Sequence, residues 1–463
     1  MATRLTRSTT TPTLSTKCTF SAWVKRSDTA RESSGRDAVL CENYIDGNNY
    51  AWIRFDGSDK LNVYGVISNS AFVSISTNRV FRDPSAWYHI VCVLDSTEST
   101  SSDRLKIYVN GERETSLSGS TYPGSSDNIG FNRSGGTFIL GDSLKYTSNF
   151  QFDGQYSHVH FVDGAAHQAS TFGSTDATTG EWDINTSPTI AEYGANGFFM
   201  FKDDASLNDD SGKGNNFTVA AGSIQKTEDC PSNNFAAFNP LFRHGQTTSD
   251  SKDFFDNANT TFYTPSNNDA RKGFFVSTLG MSSGKYYCEI KVRTGGRLFV
   301  GICNMNVLKS TSVPYDLTNQ SFIGYYALDG NIKYDNDSTY ATSVAAVNND
   351  ILGFALDMDN SHWYIHKNGT YINSGDPTSG STGTGSIIGN ITSGSSYFNH
   401  GEMFFMAADF STSGYARAEF NFGNGFFAST AISSEGTNAS GIGKFEYDVP
   451  NGYTALSTKG LNE

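Results

Sequence analysis

No stretch of this 463-residue chain approaches the roughly 18 consecutive apolar residues of a membrane-spanning helix. Its opening, MATRLTRSTT, has basic residues but lacks the apolar centre of a secretion signal, so a soluble chain that bypasses the general secretory route is expected. Charge is also scarce. Asp, Glu, Lys and Arg make up 17% of residues, too few to clothe several amphipathic helices, and no 3.6-residue apolar pattern persists beyond about two turns. The shortage is greatest on the basic side, with 33 Lys and Arg against 47 Asp and Glu. A net charge of -14 disfavours nucleic acid and anionic membrane surfaces, both of which are bound through clustered Lys and Arg. The six cysteines, at 18, 41, 92, 230, 288 and 303, never form a C-x-x-C pair, which argues against zinc. Cys18, Cys92, Cys288 and Cys303 alternate with apolar neighbours, as buried, reduced thiols of a protein made in the cytosol do.

What is abundant points to β-structure: 46 Gly, 34 Phe and 23 Tyr, with many Asn, Ser and Thr. Residues 350–369 read DILGFALDMDNSHWYIHKNG, two apolar strands around a polar turn, closed by the Asn-Gly pair that tolerates positive φ. Residues 87–111, WYHIVCVLDSTESTSSDRLKIYVNG, repeat that design, so two β-sandwiches are expected rather than one large domain. In the first half, strands are expected near 18–25, 37–42, 50–55, 60–67, 71–76, 87–94, 104–110, 137–141 and 150–161. Phe20, Ala22 and Val24 share one face of a half-buried strand. Residues 88–94 are apolar on both faces and belong in the centre of a sheet. In the second half, the expected strands are 285–293, 298–303, 321–327, 351–358, 362–367, 403–409 and 416–422.

Particular words carry family likenesses. Thr19-Phe-Ser-Ala-Trp23, Ala86-Trp87-Tyr-His89, Lys106-Ile-Tyr-Val-Asn110-Gly111 and Phe152-Asp-Gly-Gln-Tyr-Ser-His-Val-His160 resemble the laminin-G-like branch of the concanavalin A-like lectin and glucanase superfamily. Ser283-Gly-Lys-Tyr-Tyr-Cys-Glu289, Val300-Gly301-Ile302, Asp350-Ile-Leu-Gly-Phe-Ala-Leu-Asp357 and Phe420-Asn-Phe-Gly423 resemble a SPRY domain, with Cys288 where such domains often carry Trp. Between them, YGANGFF, DDSGKGNNF and PSNNFAAFNPL look like a connector of marine bacteriophage virion proteins. The resemblances imply an all-β chain of two antiparallel jelly-roll or concanavalin A-like sandwiches. The expected division is a laminin-G-like domain at 1–170, a connector at 171–250 partly completing it, a SPRY-like domain at 251–440 and a closing segment at 441–463.

No reaction is written in the motifs. Glucanases of this fold use Glu-x-Asp-x-x-Glu on one strand face, and the nearest match, Glu181-Trp-Asp183-Ile-Asn-Thr186, ends in threonine. Gly280-Met-Ser282-Ser-Gly284 fits a nucleophile elbow in spelling but sits between β-strands. His158 with His160, and His362 with His366, are pairs without an evident third metal ligand. Asp203, Asp204, Asp209 and Asp210 form an oxygen-rich turn, either a calcium site or a bare solvated turn. The Gly/Ser/Thr-rich residues 375–396 read as a mobile tip or a surface-binding loop. Strands are committed to the core, so recognition is expected in the loops 112–136, 304–320, 328–349 and 373–400. Their Tyr122, Tyr315, Tyr334, Tyr340 and Tyr397 suit stacking on sugars or anchoring of the loops themselves. The phage likeness implies a non-enzymatic virion surface protein, a tail-fibre or receptor-binding component or a capsid decoration, assembled in the host cytoplasm. Its implied partners are other virion proteins, copies of itself and host glycan. The rival readings are a purely structural subunit and a polysaccharide depolymerase with an inter-chain site.

Overall fold

A computed structural model describes residues 3–27, 37–146, 148–242, 255–263, 274–296, 298–309, 320–335, 338–391, 393–409 and 415–462. The chain divides into two compact units, Met1–Lys226 and Thr227–Glu463. Both are all-β, and each has an eight-stranded and a six-stranded sheet.

In the first unit the eight-stranded sheet runs Leu117–Thr121, Ser70–Val80, Lys60–Ile67, Asn49–Phe55, Ala38–Asp46, Thr137–Leu140, Arg4–Ser8, Thr218–Ala221. The six-stranded sheet runs Phe198–Met200, Gly154–Asp163, Lys17–Arg26, Trp87–Asp95, Leu105–Val109, Glu112–Arg113. Trp87–Asp95 thus lies inside its sheet, as its two apolar faces require. Period-two alternation points Phe20, Val24, Cys92 and Ile107 from one sheet at Ile53, Phe55, Val63 and Ile75 from the other. Each such side chain contributes roughly 1.5–3 kcal/mol on burial.

The strand Lys17–Arg26 differs from the expected half-buried one, being covered on both faces. Residues 165–199 fold back over the outer side of the six-stranded sheet and lay Phe172, Trp182, Tyr193 and Phe199 against it. Trp23 and Trp87 are buried accordingly. The aromatic text after residue 170 is therefore structural. Phe198–Met200 extends one sheet, Thr218–Ala221 extends the other, and Phe198, Met200 and Phe217 enter the core. Residues 227–240 go to the second unit, whose core takes Ala236 and Phe238.

The second unit's eight-stranded sheet contains Phe255–Asp256, Thr261–Tyr263, Arg417–Asn421, Lys285–Thr294, Ile351–Asp357, His362–Lys367 and Thr370–Tyr371, with Thr454–Ala455 added in parallel to Lys285–Thr294. Its other sheet runs Phe274–Val276, Met403–Asp409, Leu298–Asn304, Phe322–Tyr326, Asn331–Tyr334, Ser338–Ala341. Phe354 and Leu356 lie in the core between the sheets. Residues 373–400 are neither mobile tip nor open loop. Successive short 3-10 turns seat Ile387, Ile388, Ile391 and Tyr397 in that core, because a Gly/Ser/Thr run carrying four large apolar side chains has apolar area to bury. The two Asn-Gly turns match in backbone, with Asn110 and Asn368 at φ 47° and 49° and both following glycines at 82°. All six cysteines are free, and five are buried.

Candidate functional site

The outer face of the first unit's eight-stranded sheet carries an aromatic cluster built by two neighbouring strands. In Asn49–Phe55, Ala51, Ile53 and Phe55 enter the core, so Tyr50, Trp52 and Arg54 project the other way. In Lys60–Ile67 the same alternation leaves Asn62, Tyr64 and Val66 outside, and the register sets Trp52 beside Tyr64 and Arg54 beside Asn62. The ring centroids of Trp52 and Tyr50 are 4.9 Å apart, and those of Trp52 and Tyr64 5.6 Å. Residues 142–146 and 148–150 rise beside this floor as a wall. There Tyr146 stacks on Phe150 at 4.5 Å and stands 5.9 Å from Trp52, with 41% of its surface exposed.

Two cations are woven into the rings. The Arg54 guanidinium lies 4.5 Å from the Trp52 ring centre, forms an ion pair with Asp37 and donates to Asn62 Oδ1 at 3.1 Å. Lys145 sits 4.8 Å over Tyr50 and 5.7 Å from the Tyr146 ring, and donates to the Gly47 carbonyl at 2.7 Å. Glu42, paired across the ladder with Trp52, is fully buried beneath the wall. Burial lifts its carboxyl to about 7, against the hydrogen bonds it accepts from Leu144 N–H, the Ser143 hydroxyl and Lys145 N–H. Tyr50 and Trp52 are themselves buried, so the exposed Tyr146 ring, with the half-buried Tyr64 ring and the Lys145 ammonium near it, is the surface that can stack on the C–H face of a sugar and bond its hydroxyls.

The tyrosines expected to do this work do not assemble. Tyr122 is half-buried against the first unit's core. Tyr334 and Tyr340 lie in the paired strands Asn331–Tyr334 and Ser338–Ala341 rather than in an open loop, and pack on the second unit's core, with the Tyr340 hydroxyl on Asn373 Oδ1 at 3.2 Å. Tyr397 is wholly buried and anchors its own segment. Tyr315 lies outside the described residues.

The four aspartates serve the fold of their turn. Asp209 accepts from the backbone N–H of Phe199, Ser211 and Asn215, each at 2.9 Å, and from the Ser211 hydroxyl at 2.8 Å. That leaves its oxygens aimed inward rather than at an ion. Asp204 caps Ser206 N–H at 2.7 Å, and Asp203, Asp204 and Asp210 face solvent. Among the described residues no group of three or more His, Cys, Asp or Glu side chains is arranged to hold a metal.

Three of the four paired histidines bond a neighbouring hydroxyl. A bulge separates His158 from His160, with His158 at φ 48°; His158 bonds the Ser157 hydroxyl at 2.8 Å and His160 the Tyr193 hydroxyl at 2.9 Å. His366 is buried and bonds the Tyr287 hydroxyl at 2.7 Å. The glucanase-like stretch at Glu181 is a short strand whose Trp182 donates its indole N–H to His89 Nδ1 at 2.9 Å. The signal for the aromatic face was present in NYAWIRF and KLNVYGVI. Both strands put large rings on the face that half-buried alternation reserves for polar residues.

Residues 4–170 match the family described as the Concanavalin A-like lectin/glucanases superfamily, in its laminin G form. Residues 4–170 of the chain are thus a laminin-G-like domain of that superfamily. None of the curated proteins matches the chain. Among solved structures, the chain is similar to domains LG4-5 of the mouse laminin alpha1 chain at 9% identity and TM-score 0.30, covering 97% of this chain and 94% of that one. It is similar to a human SPRY domain at 15% identity and TM-score 0.23, covering 35% and 90%. It is also similar to domain 4 of an extracellular arabinanase from Geobacillus stearothermophilus, solved with arabinotriose, at 18% identity and TM-score 0.24, covering 33% and 64%.

Proposed function

We propose that this chain recognises saccharide on the Tyr146, Lys145 and Tyr64 face of its first unit, above the buried Trp52, as a non-catalytic surface protein of a bacteriophage virion. The observation that carries the binding reading is the partly exposed Tyr146 wall beside a floor of strand-mounted rings with the half-buried Arg54 and Lys145 at its edge. The carboxylates flanking the floor favour binding over hydrolysis. Asp37 is held by Arg54 and Glu42 is sealed under the wall, so neither is free to act on a glycosidic bond. The virion setting rests on the likeness of the connector words to phage proteins. Its partners would be other virion proteins, further copies of the chain and glycan on the host surface. A single such site binds near millimolar, about -4 kcal/mol, so attachment would depend on many copies per particle.

Titration of the intact chain with cellohexaose, laminarihexaose and an alginate hexamer, followed by tryptophan fluorescence and calorimetry, tests the reading. Binding by at least one of the three is expected, and Tyr146→Ala should weaken it about tenfold without altering the thermal midpoint, since Tyr146 is a surface ring. No binding at millimolar sugar would favour the structural-subunit reading. Release of reducing ends would establish the depolymerase instead.

A further inference from the structure

The wall that carries Tyr146 and Lys145 is tied to the sheet at its ends, where Asp142 pairs with Arg4 and the Phe150 carbonyl accepts from Val39 N–H at 3.0 Å, and at its centre by a buried carboxylate with no cation of its own among the described residues. Glu42 Oε1 accepts from the Ser143 hydroxyl at 3.0 Å and Oε2 from Leu144 N–H at 2.6 Å. The Ser143 oxygen in turn accepts from Tyr146 N–H at 3.2 Å, so the chain of bonds runs from the strand to the exposed ring. We propose that Glu42 is the positioning residue of the saccharide face: its ionised carboxylate sets the wall against the aromatic floor, and sugar affinity depends on that ionisation. The proposal rests on the saccharide reading of this face.

The physical reason is the direction of the bonds. A carboxylate accepts only, which suits three loop donors; a carboxylic acid must place its own proton against one of them. Burial holds the group near 7, so the two forms exchange close to neutrality. The charged and titratable neighbours are few. Asp142, on the wall, opposes ionisation and is paired with Arg4 at 3.5 Å. Lys145 and Tyr146 belong to the wall itself, Tyr50 and Arg54 to the adjacent strand, and Tyr44 to Glu42's own strand; Tyr156 spends its hydroxyl on the Leu40 carbonyl. Thr137–Leu140, on the other side, brings no charge.

Two consequences run in opposite directions as pH falls from about 8 to about 6. Wall order and sugar affinity should fall as Glu42 takes up its proton. Glu42's own contribution to fold stability should rise, because its folded value lies above the ordinary carboxylate value of 4.5 and the folded state binds the extra proton. A merely structural carboxylate would move only the second.

The test compares the intact chain with Glu42→Gln, which keeps the shape and removes the charge. Amide exchange of Leu144 to Tyr146 is read without sugar, and affinity for the three hexasaccharides is read across pH. Glu42→Gln should speed exchange and weaken binding about tenfold each at pH 8, and should flatten both pH profiles. Ser143→Ala, which removes one donor only, should shift both in the same sense by a smaller factor and serves if Glu42→Gln folds poorly. Wild-type exchange, affinity and pH profile in Glu42→Gln would overturn the proposal alone. Exchange that responds while none of the hexasaccharides binds either protein would overturn the saccharide reading and the affinity half of the proposal with it.

Discussion

At the residue scale, the buried polar groups show the same logic with opposite signs. His89, fully buried, accepts the Trp182 indole N–H on Nδ1, which leaves its proton on Nε2 for the Ser21 hydroxyl at 2.9 Å. Burial depresses it from 6.5 to about 3, and His158 from 6.5 to about 4. A proton on Nδ1 would meet the indole N–H head-on. Because the folded values lie below the unfolded value, these histidines stabilise fully above about pH 6.5, and that contribution is lost as pH falls from 6.5 toward 4. The first unit's thermal midpoint should therefore drop over that range. Trp182→Phe should cost about 1–3 kcal/mol near neutrality and make the acid loss shallower, since Nδ1 is then free to be protonated. An unchanged acid slope in Trp182→Phe, followed by circular dichroism, would show that the indole does not hold the imidazole neutral. The buried carboxyl of Glu42 in the same unit, lifted to about 7, works against this trend, so the comparison is between variant and parent at each pH.

At the element scale, alternation explains which strands were foreseeable and which were not. KYYCEIKVR and WYHIVCVLD announce themselves by composition, and they form Lys285–Thr294 and Trp87–Asp95. Thr218–Ala221 and Asn331–Tyr334 are short and polar enough to pass for loop, and only a partner strand makes them strands. The closing segment of the chain gains its strand Thr454–Ala455 in the same way, from pairing with Lys285–Thr294, and a buried carboxylate clamps the turn before it. Glu289, buried on Lys285–Thr294, accepts from Glu446 N–H at 2.8 Å and Tyr447 N–H at 2.7 Å, with Asn421 and the Tyr287 hydroxyl completing its shell. That clamp sets Phe445 and Tyr453 against the outer side of the sheet. Glu289→Ala leaves two backbone donors buried and unpaired, and should lower stability by about 3 kcal/mol in denaturant titration. It should also open residues 445–455 to proteolysis before the rest of the second unit unfolds. Equal protease resistance in variant and parent would mean that apolar packing alone secures the segment.

For the whole molecule, the sheets say where the chain can be cut. Each unit draws all its strands from its own residues, so fragments 1–226 and 227–463 should each unfold cooperatively on their own. Fragment 1–170, although it spans the whole family match, lacks one strand of each sheet and the cover over the six-stranded sheet. It should be aggregated or molten by near-ultraviolet circular dichroism, and a cooperative transition for 1–170 would remove residues 171–226 from the folding unit. The all-β class, the two sandwiches, the paired Asn-Gly hairpins and the buried thiols were determined by the sequence alone, because period-two alternation and positive-φ turns are local properties of the chain. Which face of a strand stays open is not local. It depends on what distant segment lies over it, and only the tertiary structure decided that Phe172 and Trp182 cover His89 while Tyr146 meets solvent beside a half-buried Tyr64 and a buried Trp52. For the same reason the loop tyrosines, equivalent in sequence, were separated by the structure into core anchors such as Tyr397 and strand residues such as Tyr340.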